Sequence, residues 1–267
     1  MLLAVDIGNT NIALGLYDGA RPGPRWRLAS DQARMPDEYG ITLIQLLRHT
    51  GLEADAVHAV AMASVVPPLT SALEQACRAY LGCTPWIVDA GMKTGVRVRY
   101  DDPRQVGADR IVDAAAVLRL YGGPACIVDF STATTFDAVT ADGDYLGGAI
   151  APGIGIAAEA LFQSAAKLPK VELRRPPAAI GRNTVHSIQS GLLFGYVGLV
   201  EGMVARFAAE LGPEMKVVGT GWLVETVARE TAAIQIVAPW LTLDGLRIVH
   251  EMNAGGDAAR RRRPVRH

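Results

Sequence analysis

A short stretch near the N-terminus has residue types that could bind a metal ion and a phosphate. The apolar run Leu2–Val5 ends at Asp6, and the polar turn Ile7–Asn11 follows. A carboxylate at the end of a strand can hold Mg²⁺, which prefers one or two carboxylates together with water and phosphate oxygens. Gly8 has no Cβ, so its backbone can approach a phosphate closely. The pattern indicates a phosphate-binding turn, with an ordinary polar turn as the alternative.

The same arrangement recurs nearly half a chain later, where the apolar run Cys126–Val128 ends at Asp129 and Phe130–Thr132 follows. A second apolar run and an Asp-Gly pair come after each turn, at Asp18-Gly19 and at Asp142-Gly143, and this is a strong hairpin signal. The repeat predicts two similar domains that face a cleft. Two such turns facing each other would form a phosphate clamp, which lowers the weight of the ordinary-turn alternative.

A third stretch, Tyr100–Gly107, is a loop that leads into a helix predicted to begin near Asp109. The first turn of a helix favours anions. There Asp109 could accept the proton of a substrate hydroxyl during phosphoryl transfer. Arg110 could pair with a carboxylate or phosphate through its planar guanidinium. The alternative for Asp109 is an acidic residue that only stabilises the start of the helix.

Strands and helices alternate around these stretches, which indicates α/β layering. Besides the strands at the two turns, we predict strands at residues 56–66, 85–89 and 215–219. The predicted helices are residues 36–50, 69–81, 109–121, 184–211 and 223–230, the fourth of them broken or kinked at its glycines. Gly122-Gly123-Pro124 marks the domain boundary, so we expect an N-terminal domain at 1–120, a C-terminal domain at 121–255 and a disordered basic tail at 256–267.

The 267 residues carry 26 Lys and Arg against 27 Asp and Glu, and 50% are hydrophobic. This composition argues against global disorder and against a protein specialised for nucleic acid by its bulk charge. The exception is the tail, where five arginines stand within the last eight residues (Arg260, Arg261, Arg262, Arg263 and Arg266). We interpret the tail as a solvated end.

The three cysteines are an odd number without a CxxC spacing. They disfavour a disulfide framework or a zinc site and fit a reducing compartment. We find neither a secretory signal nor an apolar stretch long enough to span a membrane. The sequence therefore predicts a soluble protein of the cytoplasm.

Taken together, the motifs resemble those of type III pantothenate kinases, a family in the superfamily of sugar kinases, heat-shock chaperone ATPases and actin. The resemblance covers nearly the whole chain. It rests on DIGNTN at 6–11, GADR at 107–110, DFSTATTFD at 129–137, YLGGAIAPGI at 145–154, AKLP at 166–169, IGRNT at 180–184, SGLLFGY at 190–196, TGWL at 220–223 and LTLDGL at 241–246. It implies an α/β fold of two similar ribonuclease H-like (actin-like ATPase) domains around a cleft.

The resemblance also implies roles for individual residues. Asp109 would be the catalytic base that takes the proton from the primary hydroxyl of pantothenate. The residues expected to bind ATP are Asp6, Ile7, Gly8, Asn9, Thr10, Asn11, Ile12, Ala13 and Thr132. Those expected to bind pantothenate are Tyr100, Gly107, Ala108, Asp109, Arg110 and Thr184, the last from the partner subunit of a homodimer.

Two cations are implied as well: Mg²⁺ near Asp6, and a monovalent cation, K⁺ or NH₄⁺, at Asp129. The product would be 4′-phosphopantothenate, which opens coenzyme A biosynthesis. The expected partners are pantothenate and a second copy of the chain, without a membrane or a nucleic acid.

Two positions depart from the family pattern, because Ser131 and Trp222 stand where glycines are usual. Ser131 adds a Cβ and a hydroxyl beside the expected phosphate site, and Trp222 adds a large ring where adenosine would approach. They motivate one alternative, a catalytically impaired member of the family that acts as a regulatory or binding protein. A second alternative is a related phosphotransferase or phosphohydrolase with another substrate, but GADR together with Tyr100 and Thr184 argues against it.

Overall fold

The structure is a computed structural model that describes residues 1–89 and 91–260. The chain forms two compact units. Unit 1 contains residues 1–96, 101–119 and 242 onward, and unit 2 contains residues 97–100 and 120–241.

The strands of the described chain are β1 (Leu2–Ile7), β2 (Asn11–Asp18), β3 (Arg21–Ala29), β4 (Ala59–Ser64), β5 (Trp86–Ile87), β6 (Arg97–Val98), β7 (Ala125–Phe130), β8 (Ala133–Val139), β9 (Asp144–Pro152), β10 (Lys216–Gly221) and β11 (Ile236–Val237). Its α-helices are α1 (Pro36–His49), α2 (Pro67–Leu81), α3 (Ala108–Leu120), α4 (Ile154–Ser164), α5 (Thr184–Leu211), α6 (Val224–Ala228) and α7 (Leu241–Arg260). Ala54–Ala56 and Pro103–Gln105 form short 3₁₀ helices.

The sheets of the two units share one topology. In unit 1 the strand order is β3-β2-β1-β4-β5, and in unit 2 it is β11-β10-β7-β8-β9-β6. The central strands β1 and β7 each pair antiparallel with the next strand of the chain and parallel with a later one, β4 or β10. Unit 2 therefore repeats the topology of unit 1 and adds β6 at the edge beyond β9. The duplication predicted from the two aspartate turns is confirmed.

The two aspartates occupy equivalent places in the two sheets. Asp6 is the penultimate residue of β1 and pairs with Ala13 and Ala63. Asp129 is the penultimate residue of β7 and pairs with Thr135 and Thr220. In each sheet the carboxylate therefore lies at the end of a strand that has a neighbouring strand on both sides.

The C-terminal helix α7 belongs to unit 1, whereas the sequence pattern assigned residues up to 255 to the C-terminal domain. The carboxylate of Asp244 accepts hydrogen bonds from the Tyr17 hydroxyl (2.7 Å) and from Arg25 Nη2 (2.9 Å). Burial and the nearby Asp244 raise the pKa of Tyr17, so its hydroxyl remains a donor. The two glycines Gly15 and Gly245 leave room for α7, because a Cβ there would meet Leu243 or Val112. These contacts are non-local, and no short-range pattern predicts them.

Two other expectations need correction. Helix α5 runs without interruption for 28 residues, so the predicted break at its glycines is wrong. A helical glycine costs only about 1 kcal/mol relative to alanine, which a long helix tolerates. Helix α7 continues to Arg260, so residues 256–260 of the predicted disordered tail are helical. Residues 261–267, with four of the five arginines of the tail, lie outside the described residues.

Helix α5 is also the one described helix that is long and apolar enough to cross a membrane by length and composition alone. Only 22% of its most apolar stretch is buried within the chain. A helix that packs against another protein chain would have the same composition and the same exposure.

Candidate active site

The first turn lies at the end of β1 and is closed by its own backbone. The amide of Gly8 donates a hydrogen bond to the carbonyl of Asn11 (3.0 Å). A Cβ on Gly8 would stand 3.1 Å from the same carbonyl, so a side chain there would crowd the turn. Asn9 and Thr10 are exposed and Asp6 is half-buried. The turn therefore presents one carboxylate and several polar groups to a ligand.

Ser30, at the end of β3, holds this turn from outside. Its hydroxyl donates to the carbonyl of Gly8 (2.6 Å), and its amide donates to the carbonyl of Thr10 (3.0 Å). Sequence reasoning missed Ser30, because the residue has no motif of its own. The strong Asp18-Gly19 hairpin signal could have found it, since pairing β2 with β3 brings Ala29 opposite Asn11.

The remaining residues predicted to bind ATP at this turn lie in the strands. Ile7, Ile12 and Ala13 are buried, so a ligand can reach only their backbone. Among the described residues there is no cluster of three or more histidine, cysteine or acidic side chains. A metal ion at this turn would accordingly take much of its coordination from water and phosphate, as Mg²⁺ does.

Asp109 lies in the first turn of α3, and its carboxylate folds back toward the loop. Asp109 Oδ1 accepts a hydrogen bond from the amide of Arg110 (2.9 Å). A Cβ on Gly107 would stand 2.3 Å from the same oxygen, so only glycine leaves room for this carboxylate. Val65, which lies beside Gly107, donates its amide to the carbonyl of Ile7 (3.1 Å). Unit 1 thus brings Asp109 and the first turn to the same edge of its sheet.

The second turn, at the end of β7, surrounds a glycine with oxygen atoms. Gly221 has φ +90°, and a Cβ on it would stand 2.5 Å from both Asp129 Oδ1 and the carbonyl of Phe130. The Asp129 carboxylate and the Phe130 carbonyl therefore pack directly against the backbone of Gly221, which pairs with Phe130 in the sheet.

Ser131 fits its turn without backbone strain. Every non-glycine residue of the described chain, Ser131 included, has a negative φ. Its amide donates to the carbonyl of Ala133 (3.0 Å). The turn packs against the start of α4, because a Cβ on Gly153 would stand 2.2 Å from the carbonyl of Thr132. The backbone conformation at this position therefore does not require the glycine that is usual there.

Tyr100 and Thr184 both belong to unit 2. The ring of Tyr100 lies over Gly147, which has φ +118° and whose Cβ would be 3.1 Å from the ring. Thr184 begins α5, but the N-cap is Asn183, whose side chain accepts from the amide of His186 (2.8 Å). The exposed side chain of Thr184 borders a groove of about 770 Å³ between α4 and α5.

Comparisons with known proteins agree on one family. The sequence model of the family described as type III pantothenate kinase matches residues 2–206. A type III pantothenate kinase from Moorella thermoacetica is 53% identical over 253 residues, which cover 95% of this chain and 100% of the relative.

Solved structures resemble the fold at lower identity. A Baf family transcriptional activator structure from Campylobacter jejuni has a TM-score of 0.60 at 18% identity and covers 95% of this chain and 99% of its own. A structure from Sinorhizobium meliloti described as a 2-dehydro-3-deoxygalactonokinase has a TM-score of 0.52 at 12% identity and covers 97% of this chain and 99% of its own. At these identities the likeness shows the fold alone, which is that of sugar kinases and actin-like ATPases.

The role of Ser30 can be tested without a ligand. We expect Ser30→Ala to loosen the turn at residues 8–11, because the carbonyl of Gly8 loses its donor. One hydrogen bond contributes about 0.5–1.5 kcal/mol, so amide exchange in a peptide that covers residues 8–13 should quicken about 2- to 10-fold. Hydrogen–deuterium exchange read by mass spectrometry measures this. Ser71→Ala, at an exposed position on α2, is the matched control, and equal exchange in both variants would refute the role of Ser30.

Proposed function

The chain belongs to the type III pantothenate kinase family, and we propose from this membership which of its residues carry the reaction. The protein uses ATP to phosphorylate pantothenate to 4′-phosphopantothenate, the first step of coenzyme A biosynthesis. The observation that carries this function is the match at 53% identity over 95% of the chain. Nothing observed favours the catalytically impaired alternative.

Asp109 is proposed as the base that accepts the proton of the pantothenate hydroxyl as the phosphoryl group arrives. A general base must be held in position before the reaction. The hydrogen bond from the Arg110 amide and the space above Gly107 support this role, because together they fix the carboxylate. We assign pantothenate binding to Tyr100, Gly107, Ala108, Arg110 and Thr184, and to Asp109 itself.

The first turn, residues 6–13, and Thr132 are proposed to bind ATP. Asp6 would hold Mg²⁺, which neutralises phosphate charge when it is bound. A single half-buried carboxylate beside exposed polar groups supports this, because Mg²⁺ keeps several water and phosphate ligands. The side chains of Asn9, Thr10 and Asn11 would donate to phosphate oxygens.

Asp129 is proposed to hold a monovalent cation, K⁺ or NH₄⁺. The support is the position of an acidic side chain at the end of β7, where its carboxylate and the Phe130 carbonyl both lie close to Gly221. A bound monovalent cation would offset the negative charge that ATP brings to this unit.

We propose that the protein acts as a homodimer through α5. Three glycines on its exposed side, Gly191, Gly195 and Gly198, have open space where a Cβ would lie. Small residues at these positions allow a second helix to approach closely. Exposed apolar side chains elsewhere in unit 2 extend the same kind of surface: Ile150, Leu161, Phe162 and Ile180. Thr184 would then contribute to the pantothenate site of the partner subunit.

We also propose a cytoplasmic location, where this biosynthetic kinase would find its substrates. The three cysteines are free. Burial raises the pKa of the Cys77 and Cys126 thiols to about 12, so both stay protonated and unreactive. Free, protonated thiols agree with a reducing compartment.

The first prediction concerns the base. We expect Asp109→Asn to lower pantothenate-dependent ADP release about 100-fold or more, since an amide cannot accept the proton and general bases contribute about 10²–10⁴-fold. A coupled ADP assay measures the rate. Asp101→Asn, a nearby exposed carboxylate, is the control and should keep the wild-type rate. A folded Asp109→Asn protein with wild-type turnover would exclude Asp109 as the base.

The second prediction concerns the cation. ADP release should collapse when K⁺ is replaced by a bulky organic cation at equal ionic strength. K⁺ should also raise the melting temperature of the wild type but not of Asp129→Asn, because that variant loses the anionic ligand. Asp142→Asn, on the exposed β8–β9 turn, should respond to K⁺ as the wild type does. Equal stabilisation of all three proteins by K⁺ would show that Asp129 does not bind the cation.

The third prediction concerns the dimer. Gly195→Arg should yield a folded monomer, because the side chain has room within one chain but would block a second helix. Replacing a helical glycine also gains about 1 kcal/mol of helix propensity, so unfolding would not explain the loss of the dimer. Light scattering after gel filtration reports the mass. Gln45→Arg on α1 is the control, and a dimeric Gly195→Arg protein would place the interface elsewhere.

A further inference from the structure

Trp222 follows β10 and exposes a large aromatic face. Its side chain is 42% exposed, while the next two residues, Leu223 and Val224, are buried. Tryptophan offers a broad apolar surface with a single polar group, which suits contact with a flat ligand. The exposed indole is therefore a candidate contact for a planar molecule.

The indole forms one wall of a slot of about 240 Å³ within unit 2. The walls are largely apolar: Ile154, Gly155, Ala158, Leu173, Leu192 and Leu223 line the slot beside Trp222. Gly155 lies next to the indole, since a Cβ there would make ordinary van der Waals contact with Trp222 Cζ2 at 3.9 Å. The ring borders an open space instead of filling it.

A charged pair stands at the rim of the slot. Lys170 Nζ lies 2.8 Å from Glu159 Oε2, and Gln163 also donates to this carboxylate. The hydrogen bonds from Lys170 and Gln163 hold the pKa of Glu159 below its ordinary value, so the carboxylate stays charged. The slot thus combines an apolar floor and an aromatic wall with a polar mouth, as ligand sites commonly do.

Two walls of the slot adjoin the second turn along the chain. Trp222 follows directly on Gly221, which packs against Asp129 and Phe130. On the other side, the N-cap of α4 is Gly153, which packs against the carbonyls of Ser131 and Thr132. Helix α4 rises about 9 Å from residue 153 to residue 159 and lines the slot along this distance. A ligand with phosphates at the turn and a ribose along α4 would reach the slot with its base.

We propose that Trp222 stacks on the purine base of the nucleotide and sets the preference for purine over pyrimidine nucleoside triphosphates. The proposal rests on the proposed use of ATP at the second turn. A purine covers more of the indole than a pyrimidine does, so the preference follows from stacking area. The substitution of glycine by tryptophan then adds a base contact, instead of closing the site.

Binding can be measured apart from turnover. A non-hydrolysable ATP analogue should quench tryptophan fluorescence in the wild type. Trp222→Ala should weaken binding of the analogue about 5- to 150-fold, the range found when base–aromatic stacking is removed. Trp222→Phe should lose the quenching but bind more tightly than Trp222→Ala, because a phenyl ring still stacks. Trp86→Phe, in unit 1 and edge-on to His250, is the matched control and should retain both quenching and affinity.

Specificity gives a second readout. In the wild type, kcat/KM for ATP and GTP should exceed that for CTP and UTP. In Trp222→Ala the ratio of purine to pyrimidine kcat/KM should fall toward one, with the loss mainly in KM, whereas a merely structural change would lower kcat for all four nucleotides alike. An unchanged ratio in an active Trp222→Ala enzyme would overturn the proposal. Tighter analogue binding by Trp222→Gly would also overturn it, because the ring would then block the site.

Failure of the proposed function would look different. A wild-type protein that binds the analogue with Trp222-dependent quenching, but releases no ADP with pantothenate, would refute the kinase assignment and support the base contact. A wild-type protein that turns over ATP without any quenching or purine preference would support the kinase and refute the base contact.

Discussion

The constraint on which the structure depends is the placement of a carboxylate at the end of a fully flanked strand, once in each unit. Asp6 and Asp129 are penultimate residues of β1 and β7, and each strand pairs on one side with its hairpin partner and on the other with a parallel strand. A register shift of one residue would move every side chain of such a strand to the opposite face of the sheet, the aspartate included. The sheet therefore fixes each carboxylate before any ligand arrives, and loops and helices are arranged around it.

Glycines then bring other groups close to these carboxylates. Gly107 leaves the space into which the Asp109 carboxylate folds, and Gly221 lets β10 press against Asp129. In both places the missing Cβ serves proximity, and at Gly221 the positive φ adds a conformational reason. Ser131 shows the converse: its turn has an ordinary backbone conformation, so a residue with a Cβ is accepted there. A glycine in a motif is thus indispensable in one turn and replaceable in another.

The short-range sequence patterns predicted those features that depend on residues close together in the chain. An apolar run, an aspartate and an Asp-Gly hairpin signal specify strand, turn and strand within a few residues, and their repetition revealed the duplicated fold. Other features depend on pairing across long distances in sequence. Ser30 reaches Gly8 only through the β2–β3 hairpin, and Asp244 reaches Tyr17 from a helix near the C-terminus. Asparagine and threonine both cap helices well, so the sequence Asn183-Thr184 does not show by itself which residue caps α5, and the structure shows that Asn183 does.

The two departures from the family pattern have different physical consequences. Ser131 changes little, because its backbone needs no glycine and its side chain is small. Trp222 changes the surface itself, because it places a broad ring beside an open slot that begins at the second turn. A ring that closed the site would be expected to pack into the slot and lose its exposure. It remains 42% exposed with about 240 Å³ of space beside it. An exposed ring beside an open space is what the proposed base contact requires.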